Sequence, residues 1–301
     1  MNVTTADRSE QRPIPFTHLG FGSFALASII LFWRVLSGLL SYSLNQESAS
    51  HVLLIPFVTA FLLFTERRRI FSVVRSSIAA GAALILVGGM IYWAGKPAVS
   101  FLSWETLALV CVWIGGFVCF YGTAAARESA FPLLFLLLMV PLPDAVLAWA
   151  IHLLQQGSTE VAYLLFKLAG VPVFRQGFIL SVPTVTIEVA VECSGIRSSI
   201  ALFITSLLAA HFYLRKPWKI LVFVLLVFPL TVVKNGIRIT TLTLLSIYVN
   251  PSFLHGSLHR DGGFVFFLLA LVLLLPALLL LERSEHDSPA SKDAAVHRTP
   301  S

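Results

Sequence analysis

Charge is scarce in this chain: Asp, Glu, Lys and Arg make up 12% of its 301 residues, about half the share usual in a soluble domain. That deficit excludes an ordinary water-solvated surface, and 57% apolar residues point to a lipid-facing one instead. Cysteine is scarce too. Cys111, Cys119 and Cys193 form an odd set without zinc-ligand spacing, so neither a disulfide framework nor a structural zinc site follows. The net charge of +6 would suggest acidic partners in a soluble protein. Here no basic stripe interleaves with exposed aromatics, which argues against nucleic acid as a partner. No internal repeat and no lipidation motif is found.

What is present is a succession of apolar runs. Residues 19–40, 51–64, 78–94, 104–122, a run from about 131, then 196–214, 220–247 and 263–281 predict about eight transmembrane helices. The first is too long for a signal-peptide core and has no clear cleavage site, so it is expected to be retained. Arg34 stands towards its far end, where a long side chain can snorkel. Pro141-Leu142-Pro143 should end or kink the fifth run, and the overlong 220–247 run should bend near Asn235-Gly236. In 145–170, His152, Gln155, Gln156, Glu160 and Lys167 interrupt the apolar pattern and predict a helix lying in the interface. Residues 178–182 and 185–189 read as two short β-rich runs about Pro183-Thr184. Open strand edges cannot face lipid, so this segment belongs outside the bilayer or packed on protein.

The expected fold is all-α and membrane-integral, with a short extracytoplasmic interfacial helix and a β-rich segment before the sixth span. Residues 1–18 should form a cytoplasmic N-terminal tail, 19–281 the transmembrane domain and 282–301 a disordered cytoplasmic tail. Orientation follows from the short loops. With both termini inside, the inner loops carry Arg67, Arg68, Arg69, Arg75, Arg127, Arg215, Lys216 and Lys219, against Lys96 and Arg260 outside.

That orientation brings three reactive groups to one side. Cys193 precedes Arg215 by 22 residues, about 33 Å of helix. Arg238 follows Lys219 by 19 residues, about 29 Å. His259 lies just before the last run, which ends at the cytoplasmic Glu282. Each therefore falls at the extracytoplasmic face of a layer roughly 30 Å thick. The set suits acyl transfer. A thiol becomes a nucleophile when positive charge or a helix N-terminus favours its thiolate. An imidazole can take the thiol proton and return it to a leaving amine. A guanidinium keeps its charge and can meet an oxyanion or grip a carboxylate.

Plainer readings stand beside these. Cys111 and Cys119, eight apart in an apolar run, read as small packing residues. Arg238 and Lys234 could be snorkelling, and Arg197, one turn after Cys193, rivals Arg238 for the cationic role. Glu188 and Glu192 either orient neighbours or sit at the wet interface. His255 and His259 are four apart, a spacing that could hold a metal on a helix. Without a third ligand no metal is expected, and no cofactor. A transporter or polysaccharide-export component would spread ionisable groups through the bilayer depth, whereas these cluster at one face. A scaffold would be indifferent to Cys193.

Three stretches together resemble the exosortase/archaeosortase family of multi-pass membrane cysteine transpeptidases: Glu192-Cys193-Ser194-Gly195-Ile196-Arg197-Ser198-Ser199, Asn235-Gly236-Ile237-Arg238, and His259-Arg260-Asp261-Gly262-Gly263-Phe264. Weaker features, Ser50-His51 and Phe131-Pro132-Leu133-Leu134 through Pro141-Leu142-Pro143, extend the likeness over about 50–281. Lys234 stands where the resemblance leads one to expect an apolar residue. The resemblance implies Cys193 as nucleophile, with Arg238 and His259 completing the site. It implies as substrates secreted proteins that end in a sorting signal, a transmembrane helix and a basic cluster, of the PEP-CTERM kind. Cleavage would pass the acyl group to a lipid or polysaccharide acceptor of the envelope, at the outer face of the inner membrane.

Overall fold

The structure, a computed structural model, describes residues 14–96, 101–190, 195–254 and 263–286. The chain divides into two compact units, Met1–Asp144 and Ala145–Ser301. Of the expected tails, 1–18 and 282–301, residues 1–13 and 287–301 lie outside the described residues, whereas 14–18 and 282–286 are helical and continue the first and last helices past the expected span ends.

In the first unit the run expected as one span is two helices, α1 (Ile14–Leu31) and α2 (Trp33–Asn45), bent by 70° at Phe32. A 3-10 turn (Glu47–Ala49) leads to α3 (Ile55–Thr65) and the short basic α4 (Arg67–Ile70). Then come α5 (Ile78–Gly95), α6 (Phe101–Glu128), α7 (Ala130–Phe135) and a 3-10 turn (Leu136–Met139). The buried residues of α5 are Gly81, Gly88 and Gly95, seven apart on one face. A Cβ on Gly81 would stand 2.3 Å from the Cys119 sulfur, so the seam against α6 closes only because these positions are bare. Lipid supplies no hydrophobic drive between helices, and close backbone approach supplies van der Waals attraction in its place. Gly122 interrupts α6 at φ 88°, ψ 172°, where a Cβ would meet the Arg75 carbonyl oxygen at 1.5 Å. Below it, His18 Nδ1 and the Tyr121 hydroxyl share a 2.8 Å hydrogen bond inside a cluster with Phe21, Phe71 and Phe117.

The second unit opens with α8 (Asp144–Leu168). The β-rich segment is a three-stranded antiparallel sheet, β1 (Phe174–Gln176), β2 (Ile179–Val182) and β3 (Val185–Glu188), in that order. Val182 faces Val185 across the Pro183-Thr184 turn, the hairpin expected from the sequence; β1 is additional. Leu180, Val182 and Val189 bury against Ala162 and Phe166 of α8, so the sheet is packed on protein.

Four helices follow: α9 (Ile196–Tyr213), α10 (Pro217–Leu225), α11 (Val227–Tyr248) and, after a 3-10 turn (Pro251–Leu254), α12 (Gly263–His286). The bend expected near Asn235-Gly236 is absent: α11 is continuous there. The break falls instead at Leu226, where Pro229 has no N–H to return to the Leu225 carbonyl. Lys219, expected as a loop lysine, is buried, its ammonium donating to the Leu281 carbonyl (2.9 Å) and to Ser284 Oγ (2.6 Å). The Glu285 carboxylate accepts the backbone N–H groups of Arg215 and Lys216, fixing the end of α12 to the start of α10.

Among the described residues five helices are long and apolar enough to cross a membrane, or up to seven if each of two bent pairs is one span. The count of eight is not reached by that measure, because the run at 51–64 forms a helix of only 11 residues. The chain is a helical, multi-pass membrane protein.

Candidate active site

The site is built on the contact between α8 and α11. A Cβ on Gly236 would lie 2.4 Å from Val161 Cγ1, so this glycine is what lets the two backbones approach. One residue earlier, Asn235 donates from Nδ2 to Ser158 Oγ at 3.0 Å, with both side chains fully buried. A turn before Ser158, Gln155 donates from Nε2 to the Val189 carbonyl at 2.8 Å, while the Val189 N–H donates to the Phe178 carbonyl. The chain leaving β3 is thus held through both backbone groups of one residue, Val189.

It is caught again at Gly195. This residue caps α9 at φ 74°, a left-handed conformation that a side chain would strain. A Cβ there would also stand 3.0 Å from Asn235 Oδ1 and 3.6 Å from Lys234 Nζ. The Gly195 carbonyl accepts from Ser199 Oγ (2.6 Å) and Ser198 Oγ (3.0 Å). Ser198 Oγ in turn accepts from the Lys234 ammonium at 2.6 Å, and Lys234 is only 2% exposed. One stretch of α11 therefore fixes the first turn of α9 through a charged hydrogen bond.

Arg238 follows Lys234 by one helical turn, is half-buried, and bears on Lys234 as a like charge. A cation bonded to the amino-terminal turn of α9, with a second cation one turn along α11 from it, makes this a region that favours an anion. Arg197, the rival for the cationic role, is exposed, and so is Glu188. Cys193, His255 and His259, with Glu192, lie outside the described residues. Cys111 and Cys119 are free thiols within α6, and Cys119 Sγ donates to the Ile78 carbonyl at 3.7 Å.

Sequence reasoning gave Lys234 no role beyond snorkelling, met Ser198 only within the motif and Gln155 only as a break in an interfacial helix, and passed over Ser158. The last two carried a signal. Gln155, Ser158, Thr159 and Ala162 recur at helical spacing and share the buried face of α8. A polar stripe of that kind in an apolar protein marks a helix whose partner is protein rather than water.

No curated protein and no solved structure matches the chain. A family model described as transmembrane exosortase matches residues 42–276, which include the α8–α11 contact, the start of α9 and all three segments of the expected site. The chain belongs to the transmembrane exosortase family.

Proposed function

We propose that this exosortase is a cysteine transpeptidase in which Cys193 attacks the C-terminal sorting signal of a secreted protein. The Cys193 thiolate adds to the scissile carbonyl, and Arg238 meets the negative charge that develops on its oxygen. His259 takes the thiol proton and gives it to the leaving amine as the C–N bond breaks, which leaves a thioester. An acceptor nucleophile of the envelope, on a lipid or polysaccharide, then surrenders its proton to His259 and displaces the thiol. The site works at the extracytoplasmic face of the inner membrane, with both termini in the cytoplasm.

Family membership supplies the general role, a membrane transpeptidase of protein sorting. The observation that carries the residue assignment is the fixing of both flanks of Cys193. Gln155 holds Val189 on one side, and Lys234 with Ser198 holds Gly195 on the other, on the helix that bears Arg238. Covalent catalysis requires such fixed geometry.

The test is co-expression with a tagged secreted protein that carries a candidate C-terminal signal. A size shift that requires Cys193 is the expected result. Processing that is indifferent to Cys193 overturns the proposal.

A further inference from the structure

A cavity of about 840 Å³ opens in the first unit between α1, the start of α2, α5 and the first half of α6, a volume in the range of ligand sites. Phe24, Val35, Ile85, Trp93 and Val112 give it apolar and aromatic walls. Its depth matches one leaflet. Ile85 to Trp93 on α5 spans eight residues, about 12 Å of helix rise against roughly 15 Å for half the hydrocarbon layer. Trp93 and Tyr92 mark the interfacial end, where Lys96 lies over the Trp93 ring at 3.5 Å.

At the cavity wall stand two groups of opposite sign, Arg34 and Glu105. They are close enough for the guanidinium to act electrostatically on the carboxylate. Among the described residues, however, neither charged group is hydrogen-bonded or ion-paired, with the other or with anything else. Charged groups at membrane depth are costly unless partnered. Ser28 in the lining, by contrast, is satisfied: its Oγ accepts the Trp113 indole N–H at 2.8 Å and donates to the Ala25 carbonyl at 2.7 Å.

We propose that this cleft binds a phospholipid with a zwitterionic, amine-bearing headgroup, its phosphate on Arg34 and its ammonium on Glu105. The acyl chains run down the apolar walls towards Ile85 and Val112. With the N-terminus inside, as proposed above, the lipid belongs to the outer leaflet. The site stands on its own residues and does not depend on the role of Cys193.

Gly89 gives the test its edge. It lines the cavity, and a Cβ added to it meets nothing within 4 Å, so a side chain there fills the cleft without displacing backbone. Gly22 is equally open but does not line the cavity, and serves as control. The full chain is purified, delipidated and offered phosphatidylethanolamine or phosphatidylglycerol of identical chains, and bound lipid is counted by native mass spectrometry. The wild type should retain phosphatidylethanolamine at least about tenfold better than phosphatidylglycerol, the scale of one charge-assisted hydrogen bond. Gly89→Leu should lose the bound lipid and Gly22→Leu should keep it. Arg34→Gln should weaken retention, and Glu105→Gln should erase the preference for the amine-bearing lipid. Undiminished binding in Gly89→Leu overturns the site, and equal retention of the two lipids by the wild type overturns the headgroup assignment.

Discussion

Lys234 and Ser198 lie 36 residues apart in sequence and 2.6 Å apart in space, a buried ammonium donating to a hydroxyl. This bond ties α11 to the first turn of α9, three residues from the Gly195 cap. Among the described residues no carboxylate pairs with this ammonium, and a buried charge joined only to a hydroxyl is an expensive way to hold two helices, since similar apolar packing would serve. Its presence is better explained by what it does for the segment that begins at Cys193.

Lys234→Met should therefore separate stability from activity. The variant loses a charged hydrogen bond worth about 1.5–3 kcal/mol, but it also sheds the burial of an ammonium, which offsets much of that loss. Net stability should move by no more than about 1 kcal/mol, while substrate processing falls at least about tenfold. Thermal melting and processing at matched protein level measure the two. A large drop in stability with full activity per folded molecule would make Lys234 a purely structural residue.

The hairpin about Pro183-Thr184 was legible because strand alternation and a proline turn are local signals. So was the helical membrane architecture, which apolar run length dictates. The breaks were not. Nothing at Phe32 distinguishes a 70° bend from a straight span, since neither proline nor glycine marks it. In the α10–α11 run the glycine at 236 drew attention as a bend, yet it serves close packing on Val161, and Pro229 makes the break. Within the candidate site, the place of Arg238 on a long apolar helix, one turn after Lys234, was legible from spacing alone. The pairings Lys234–Ser198 and Asn235–Ser158 were not, because partners 36 and 77 residues apart meet only after the helices pack.

His51 gives the first unit a pH dependence. Burial lowers its imidazole pKa below the ordinary value of 6.5, although hydrogen bonds with the backbone at Ser48 and Leu138 pull the other way. The unfolded chain thus takes up a proton as the pH falls through about 6.5, before the folded one does. Stability should rise with pH across the window just below 6.5 and be lost on acidification. Melting of the wild type should drop between about pH 7.5 and pH 5.5, on either side of the ordinary histidine value. His51→Gln should flatten that dependence. A wild type more stable at the lower pH would contradict the assignment.

The segment before α12 carries two histidines, and the proposed mechanism uses His259. It stands three residues before Gly262-Gly263 and the start of α12, whereas His255 follows directly on the Pro251–Leu254 turn. His259→Ala should reduce processing by about 10²–10⁴, the usual contribution of a general acid–base group. His255→Ala should leave a substantial fraction. Processing in cells with protein levels matched by immunoblot reads both. The reverse pattern would exchange their roles.

The central claim is that one thiol of three is the nucleophile, and cysteine replacement tests it most directly. Cys111 and Cys119 sit within α6, and Cys119 fills the seam opposite Gly81, so their thiols pack. A tagged substrate is followed in cells carrying Cys193→Ser, Cys111→Ser or Cys119→Ser at equal membrane abundance. Cys193→Ser should abolish the size shift, because a serine hydroxyl is far less ionised than a thiol, and the other two should retain most of it. Processing that survives in Cys193→Ser, or falls equally in all three variants, would contradict the account.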